Sequence, residues 1–261
     1  MDDEGCHLTC CYMYAIIKQM SSDPSTVTAT RPRPRANAAN RQLGLTFRSW
    51  GGKRPGAGRP RKPDSGASHL RRPRLASRHP VHVSLSVLKD LPSLRSPKLY
   101  RLVEACLGAA KERFGFRLVH YCVQRHHLHL IVEAKDAEAL TRGIKGLCVR
   151  IARRLNAALS RKGRIFADRY FARALRTPRE AWAAIRYVLL NCRRHGAQRH
   201  QSWDRDWTDP CSSGRWFDGW REVRPQPPPG KPPPVAPAHS WMLRQGWKRH
   251  GLLSLDEVPG R

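Results

Sequence analysis

From Val81 to Val87 the chain alternates Val81, Val83, Leu85 and Val87 with His82, Ser84 and Ser86. A period of two marks a strand with one buried face, so the other face of this strand is polar. The spacing then becomes helical. Lys98–Arg113 places Leu99, Leu102, Val103, Cys106 and Ala110 on one stripe, and Gly115 lies just beyond its end. Strands are predicted at 116–124 and 127–133. Ala137, Leu140, Ile144, Leu147, Ile151, Leu155 and Ala158 recur at three and four and predict a long helix. Residues 165–175 read as strand-like. Thr177-Pro178-Arg179-Glu180 then opens a last helix, with Thr as N-cap, Pro in the first turn and Glu closing a capping box. Trp182, Ile185, Leu189 and Cys192 are its predicted buried stripe. The order β-α-β-β-α-β-α predicts an α+β fold, a ferredoxin-like antiparallel sheet with helices on one face.

Composition sets the flanks of this domain. The 261 residues divide into a cysteine-bearing segment (1–30), a basic Gly/Pro/Arg arm (31–75), the patterned domain (76–200), a Trp-rich extension (201–224), a Pro-rich linker (225–238) and a tail (239–261). Residues 31–74 hold 13 Lys plus Arg against one acid, Asp64, a composition that predicts a flexible arm. Over the whole chain 49 Lys plus Arg face 20 acids, a formal net charge of +29. That imbalance argues against an enzyme for small neutral metabolites and for a nucleic-acid partner, although a basic ribosomal protein would share it. No stretch reaches the roughly 18 apolar residues of a membrane helix, so no membrane partner is expected. The acidic start, Asp2, Asp3 and Glu4, is opposite in charge to a secretory leader. Eight cysteines without a C-x-x-C pair read as reduced thiols of a cytosolic protein.

The candidate chemistry begins with Arg125-His126-His127-Leu128-His129. His127 and His129 lie two apart on a strand, so they project from one face about 7 Å apart at the backbone. Two such imidazoles can share a divalent metal, and they can equally be two surface histidines; the pair alone divides evenly. The last helix changes the balance. Asn191 follows Tyr187 by four residues, one turn up the same face. That face presents a phenol and a neutral oxygen ligand together.

With these residues in view, the sequence resembles the single-tyrosine HUH transposases, in particular the REP-associated tyrosine transposases. The resemblance is carried by VHVSLSVL, RHHLHLIVE, GRIFADRYFARALRTPREAWAAIRYVLLNCRRHG and SSGRWFDGW, across roughly residues 76–220. It implies His127, His129 and Asn191 as ligands of Mg2+ or Mn2+ and Tyr187 as the nucleophile. The implied reaction is nicking and strand transfer of single-stranded or hairpin DNA through a 5′-phosphotyrosine, with Arg186, Arg193 or Arg194 helping the phenol ionise. Two positions depart from the pattern: His126 stands where such proteins often have Asn, and Cys192 follows Asn191 where many have Pro. A third His two beyond His129 would suggest a histidine-triad hydrolase, but that position is Ile131. Two His-x-Ser/Thr strands would suggest a phosphoesterase, but His82-Val83-Ser84 supplies only one. Tyr170 is the second-ranked nucleophile, without an Asn partner.

The expected DNA contacts are Arg59, Arg61 and Lys62 of the AT-hook-like Gly58-Arg59-Pro60-Arg61-Lys62, then Arg142, Lys145, Arg150, Arg153 and Arg154 of the long helix, and Arg186. Trp203, Trp207, Trp216 and Trp220 fit a packed C-terminal extension better than a base-stacking surface. Monomer and homodimer stand equally open, and the expected place of action is the cytoplasmic nucleoid. Two other readings share these features: a non-catalytic, domesticated DNA-binding protein that recognises palindromic repeats, and a rolling-circle replication or mobilisation nickase.

Overall fold

The structure, a computed structural model, describes residues 74–201, 203–222, 227 and 229–259. Residues 1–30 and nearly all of the basic arm, with Arg59, Arg61 and Lys62, lie outside the described residues. The elements are β1 (Val81–Ser86), α1 (Pro97–Ala109), β2 (Glu112–Arg113), β3 (Phe116–Val123), β4 (His127–Ala134), α2 (Ala137–Ala158), β5 (Phe171–Ala174), α3 (Pro178–Gln198) and a short α4 (Trp241–Arg244). The five strands form one antiparallel sheet in the order β2-β3-β4-β1-β5. Without the two-residue β2, the order is that of a ferredoxin-like β-α-β-β-α-β unit.

Alternation along the strands sorts the side chains. Val81, Val83, Leu85, Leu128, Leu130 and Val132 point to one face, where Leu99, Val103 and Leu107 of α1 and Leu140, Ile144, Leu147 and Ile151 of α2 close the main core. The capping box predicted for α3 is present, Thr177 and Glu180 each satisfying the other's backbone N–H. The first helix stops at Ala109, not Arg113, because Glu112 and Arg113 pair with the start of β3 across a tight turn. Gly115 is in the left-handed region at φ +78°, as that turn requires. The strand expected over 165–175 is shorter, Phe171–Ala174, while Phe166 forms an isolated bridge to Val87 just past β1 and Ala167 N–H donates to Ser86 O.

The opposite face is the polar one predicted from the alternation of β1. α3 covers it. Ala181, Ala184, Ile185, Tyr187, Val188, Leu189, Leu190 and Asn191 are all buried, so α3 is enclosed nearly all round and not along one stripe, while Trp182 and Cys192 of the expected stripe are only half-buried. The outer cover comes from the tail. Trp182 Nε1 donates to the Gly251 carbonyl at 3.1 Å, Arg186 pairs with Glu257, and the fully buried Trp247 packs on Phe217. Gly219 lets the Trp247 ring approach, since a Cβ there would sit 2.2 Å from it. A backbone bridge between Trp220 and Leu253 ties the Trp-rich extension to the tail. The Pro-rich linker is laid along β3: Ala236 N–H donates to Leu118 O, Lys111 reaches Pro233 O, and Lys231 pairs with Glu104. Together with the Cys122–Ser212 bridge it occupies backbone groups that an edge strand would leave open. The five described cysteines are free thiols, as expected. No helix among the described residues is long and apolar enough to cross a membrane.

Candidate active site

The register of the sheet builds the site. On β1 and β4, Ser84 lies opposite His129, Ser86 opposite His127, and His82 opposite Ile131. All five polar side chains therefore share the face under α3. The His127 and His129 rings are parallel within 6°, with centroids 6.4 Å apart, and His82 stacks on His129 at 5.6 Å. Tyr187 descends from α3 and meets His129 edge-on at 5.2 Å and His82 edge-on at 5.9 Å. Arg194 lies over the Tyr187 ring, 5.8 Å from its centroid. The histidine pair and the tyrosine, some sixty residues apart in sequence, thus come together.

Burial decides the protonation of this cluster. It pushes His82 down to about 4, with the Arg173 charge adding, and drives His129 well below the ordinary imidazole value, with charges at His82, His127 and His195 adding. Both rings are neutral at neutral pH, the form in which imidazole ligates a metal. His129 Nδ1 is 3.0 Å from Ser84 Oγ, which leaves Nε2 as its outward nitrogen. Asn191 is fully buried, one turn beyond Tyr187 on the same helix face, and neither its Oδ1 nor its Nδ2 has a hydrogen-bond partner. Leaving a buried amide unsatisfied costs roughly 1–3 kcal/mol. Among the described residues no group of three His, Cys, Asp or Glu is set to hold a metal.

The other expected residues divide. Arg142, Lys145, Arg153 and Arg154 are exposed and Arg150 half-buried on α2, in the layer across the sheet from Tyr187. Arg186 is engaged by Glu257 and the Val258 carbonyl. Arg193 turns away from the phenol to bind the carbonyls of Asp204, Arg205 and Trp207. Tyr170 points toward α2, its hydroxyl 3.4 Å from Thr141 Oγ1. His126 is buried, with Nε2 donating to the Leu91 carbonyl, and burial pushes the Cys192 thiol up to about 12. Of the four tryptophans, Trp220 is buried and donates to Gly214 O, while Trp203 and Trp207 stack on each other at 4.9 Å. Sequence reasoning missed His82, Ser84 and His195 as members of the cluster. Their signal was present, since His82 and Ser84 fall on the polar side of the β1 alternation and His195 follows Asn191 by four.

Residues 82–188 match the family model described as IS200-like transposase. That span holds His82, His127, His129 and Tyr187. Two solved structures show similarity. One, the REP-associated tyrosine transposase bound to a REP hairpin, is 16% identical with a TM-score of 0.44, over 56% of this chain and 82% of that one. The other, from Deinococcus radiodurans and described as a transposase, is 15% identical with a TM-score of 0.33, over 53% of this chain and 98% of that one. No curated protein matches this chain.

Proposed function

From the match of residues 82–188 to the IS200-like transposase family model, we propose a metal-dependent enzyme that nicks single-stranded DNA at hairpin repeats and transfers the cut strand, acting in the nucleoid. One observation carries the reading: the edge-on seat of Tyr187 against His129, beside the parallel His127 ring.

His127, His129 and Asn191 would hold a divalent cation, Mg2+ or Mn2+, which supplies charge neutralisation at the scissile phosphate. The remaining work belongs to the chain. Ser84 holds the His129 ring through Nδ1. α3, clamped between sheet and tail, fixes the direction from which the Tyr187 oxygen approaches. That oxygen attacks phosphorus, the bond from phosphorus to the 3′ oxygen breaks, the 3′ oxygen takes up a proton to leave as a hydroxyl, and the phenol's proton passes to solvent. A 5′-phosphotyrosine remains. Arg194 over the ring attends the negative charge of the phenolate and the phosphate. Rejoining is the same step in reverse with a new 3′-hydroxyl, and the covalent link conserves the bond energy.

Incubation of the protein with palindromic single strands and Mg2+ or Mn2+ tests the reading. A covalent species that survives SDS and heat, carries the DNA by its 5′ end and needs Tyr187 supports it. Absence of that species on every strand favours the non-catalytic DNA-binding reading.

A further inference from the structure

His82 lies among the proposed reacting groups without holding the cation or attacking phosphorus. It is the second residue of β1, opposite Ile131 on β4 and Arg173 on β5, which sets it diagonal to His129 on the face under α3. The side chain is buried, 4% exposed. It stacks on His129 at 5.6 Å with 18° between the planes, and Tyr187 meets it at 77° with centroids 5.9 Å apart.

Its Nε2 is buried and has no hydrogen-bond partner among the described residues. The neighbours in the sheet do not supply one. Ile131 is apolar, Arg173 pairs with Glu180 at 2.7 Å, and Ser84, next along the same face, is given to His129 Nδ1 at 3.0 Å. Burial, with the Arg173 charge adding, keeps the ring neutral at neutral pH. A neutral imidazole has one N–H and one bare nitrogen, and a buried nitrogen of either kind costs stability while it lacks a partner. The Tyr187 phenol is the polar group already against this ring, and its oxygen gains negative charge as it attacks.

We propose that His82 is a further catalytic residue, its Nε2–H donating a hydrogen bond to the Tyr187 oxygen as that oxygen attacks phosphorus. The proposal rests on the nicking reading above. His82 neither takes nor gives up a proton. The phenol's proton passes to solvent, the bond from the Tyr187 oxygen to phosphorus forms, the bond to the 3′ oxygen breaks, and the N–H stays on His82. A donor fixed in a buried site acts most strongly on an acceptor that carries charge, so the bond strengthens as charge builds. In rejoining, the same N–H meets the Tyr187 oxygen as it leaves. The histidines of β4 would then serve the phosphate through the cation, and the histidine of β1 the nucleophile.

The test is single-turnover adduct formation on a palindromic single strand at saturating Mg2+, with DNA affinity in EDTA and the Mg2+ concentration for half-maximal rate measured on the same proteins. His82→Leu should slow adduct formation roughly 10- to 100-fold, the worth of a hydrogen bond to a charged group. Its DNA affinity and Mg2+ midpoint should match the parent's. His82→Gln, whose amide nitrogen reaches the place of Nε2, should keep most of the rate. His82→Asn, whose amide nitrogen reaches only the place of Nδ1, should not, and this pair decides the matter if His82→Leu folds poorly. An unchanged rate in His82→Leu overturns the proposal, as do equal rates for the Gln and Asn variants. A loss that takes the form of a raised Mg2+ midpoint overturns it too, since His82 would then act only through His129. A parent that forms no adduct on any strand removes the nicking reading and this role together; an adduct whose rate is indifferent to position 82 removes the role alone.

Discussion

Tyr187 meets His129 edge-on, with centroids 5.2 Å apart at 85°, while itself only 2% exposed. Tyr187, which the sequence places on one helix face with Asn191, is enclosed between sheet and tail. Its ring packs against the sheet, and Tyr187→Phe separates that packing from the proposed chemistry. The variant keeps the ring, so its stability should stay within about 1 kcal/mol of the parent and its DNA affinity should persist. Only the covalent adduct should disappear. An adduct in this variant would transfer the role to Tyr170, whose hydroxyl faces Thr141 on α2.

Ser84 touches His129 and not the reacting atoms. Because its Oγ is 3.0 Å from Nδ1, Ser84→Ala frees the ring to rotate and to change tautomer. Partners of this kind commonly matter 10- to 100-fold in metal affinity. The variant should need more Mg2+ for half-maximal cleavage while reaching a similar rate at saturation. A metal titration that superimposes on the parent's would limit Ser84 to packing.

The sheet and its helices were legible because burial writes itself as periodicity. Val81–Val87 alternates, residues 137–158 keep helical spacing, and the Thr177–Glu180 box marks a helix start without reference to anything distant. The His-x-His pair and the Tyr187–Asn191 turn were legible for the same reason, each being a local spacing on one element. The cover over α3 was not. Ala181, Ala184 and Leu190 read as the outer side of an amphipathic helix until Trp247 and the residues around Gly251 arrive from sixty positions away. The docking of Arg186 on Glu257 has no local signature, so its charge was assigned to DNA. Nor could strand pattern alone show that His82 stacks on His129, since that depends on the β1–β4 register.

The basic arm should add affinity without chemistry. Deleting residues 31–74 removes 13 cations, and the logarithm of DNA affinity should then fall less steeply with the logarithm of salt concentration. Adduct formation at low salt should persist. An unchanged slope would mean that these cations do not meet phosphate.

His120 gives the fold an acid sensitivity that can be isolated. It is buried against Phe217 and Ser213, and burial lowers it to about 4 despite the opposing charge of Asp218. The unfolded chain binds that proton near pH 6.5 and the folded chain does not. Stability is therefore intact above pH 6.5 and falls as the pH drops toward 4, by at most about 3 kcal/mol from this group. His120→Gln should show a shallower loss over that window in denaturant titrations at several pH values. Parallel pH profiles for parent and variant would show that His120 takes up its proton in the folded state as readily as in the unfolded one.

Asn191 offers the sharpest division between a ligand and a structural amide. It is fully buried, and both side-chain polar atoms lack partners. A structural amide in such a place would be hydrogen-bonded, and replacing it would destabilise the fold. An amide held for a cation is under strain until the cation arrives. Asn191→Leu keeps the branched shape and the number of heavy atoms and removes the unsatisfied polar atoms, so the metal-free protein should become more stable, by about 1 kcal/mol. The same variant should lose the stabilisation that added Mg2+ or Mn2+ gives the parent, together with most of the cleavage. Thermal melts with and without metal read both effects without relying on activity. A variant that melts lower in EDTA, yet gains as much from metal as the parent does, would remove Asn191 from the ligand set and return it to the core.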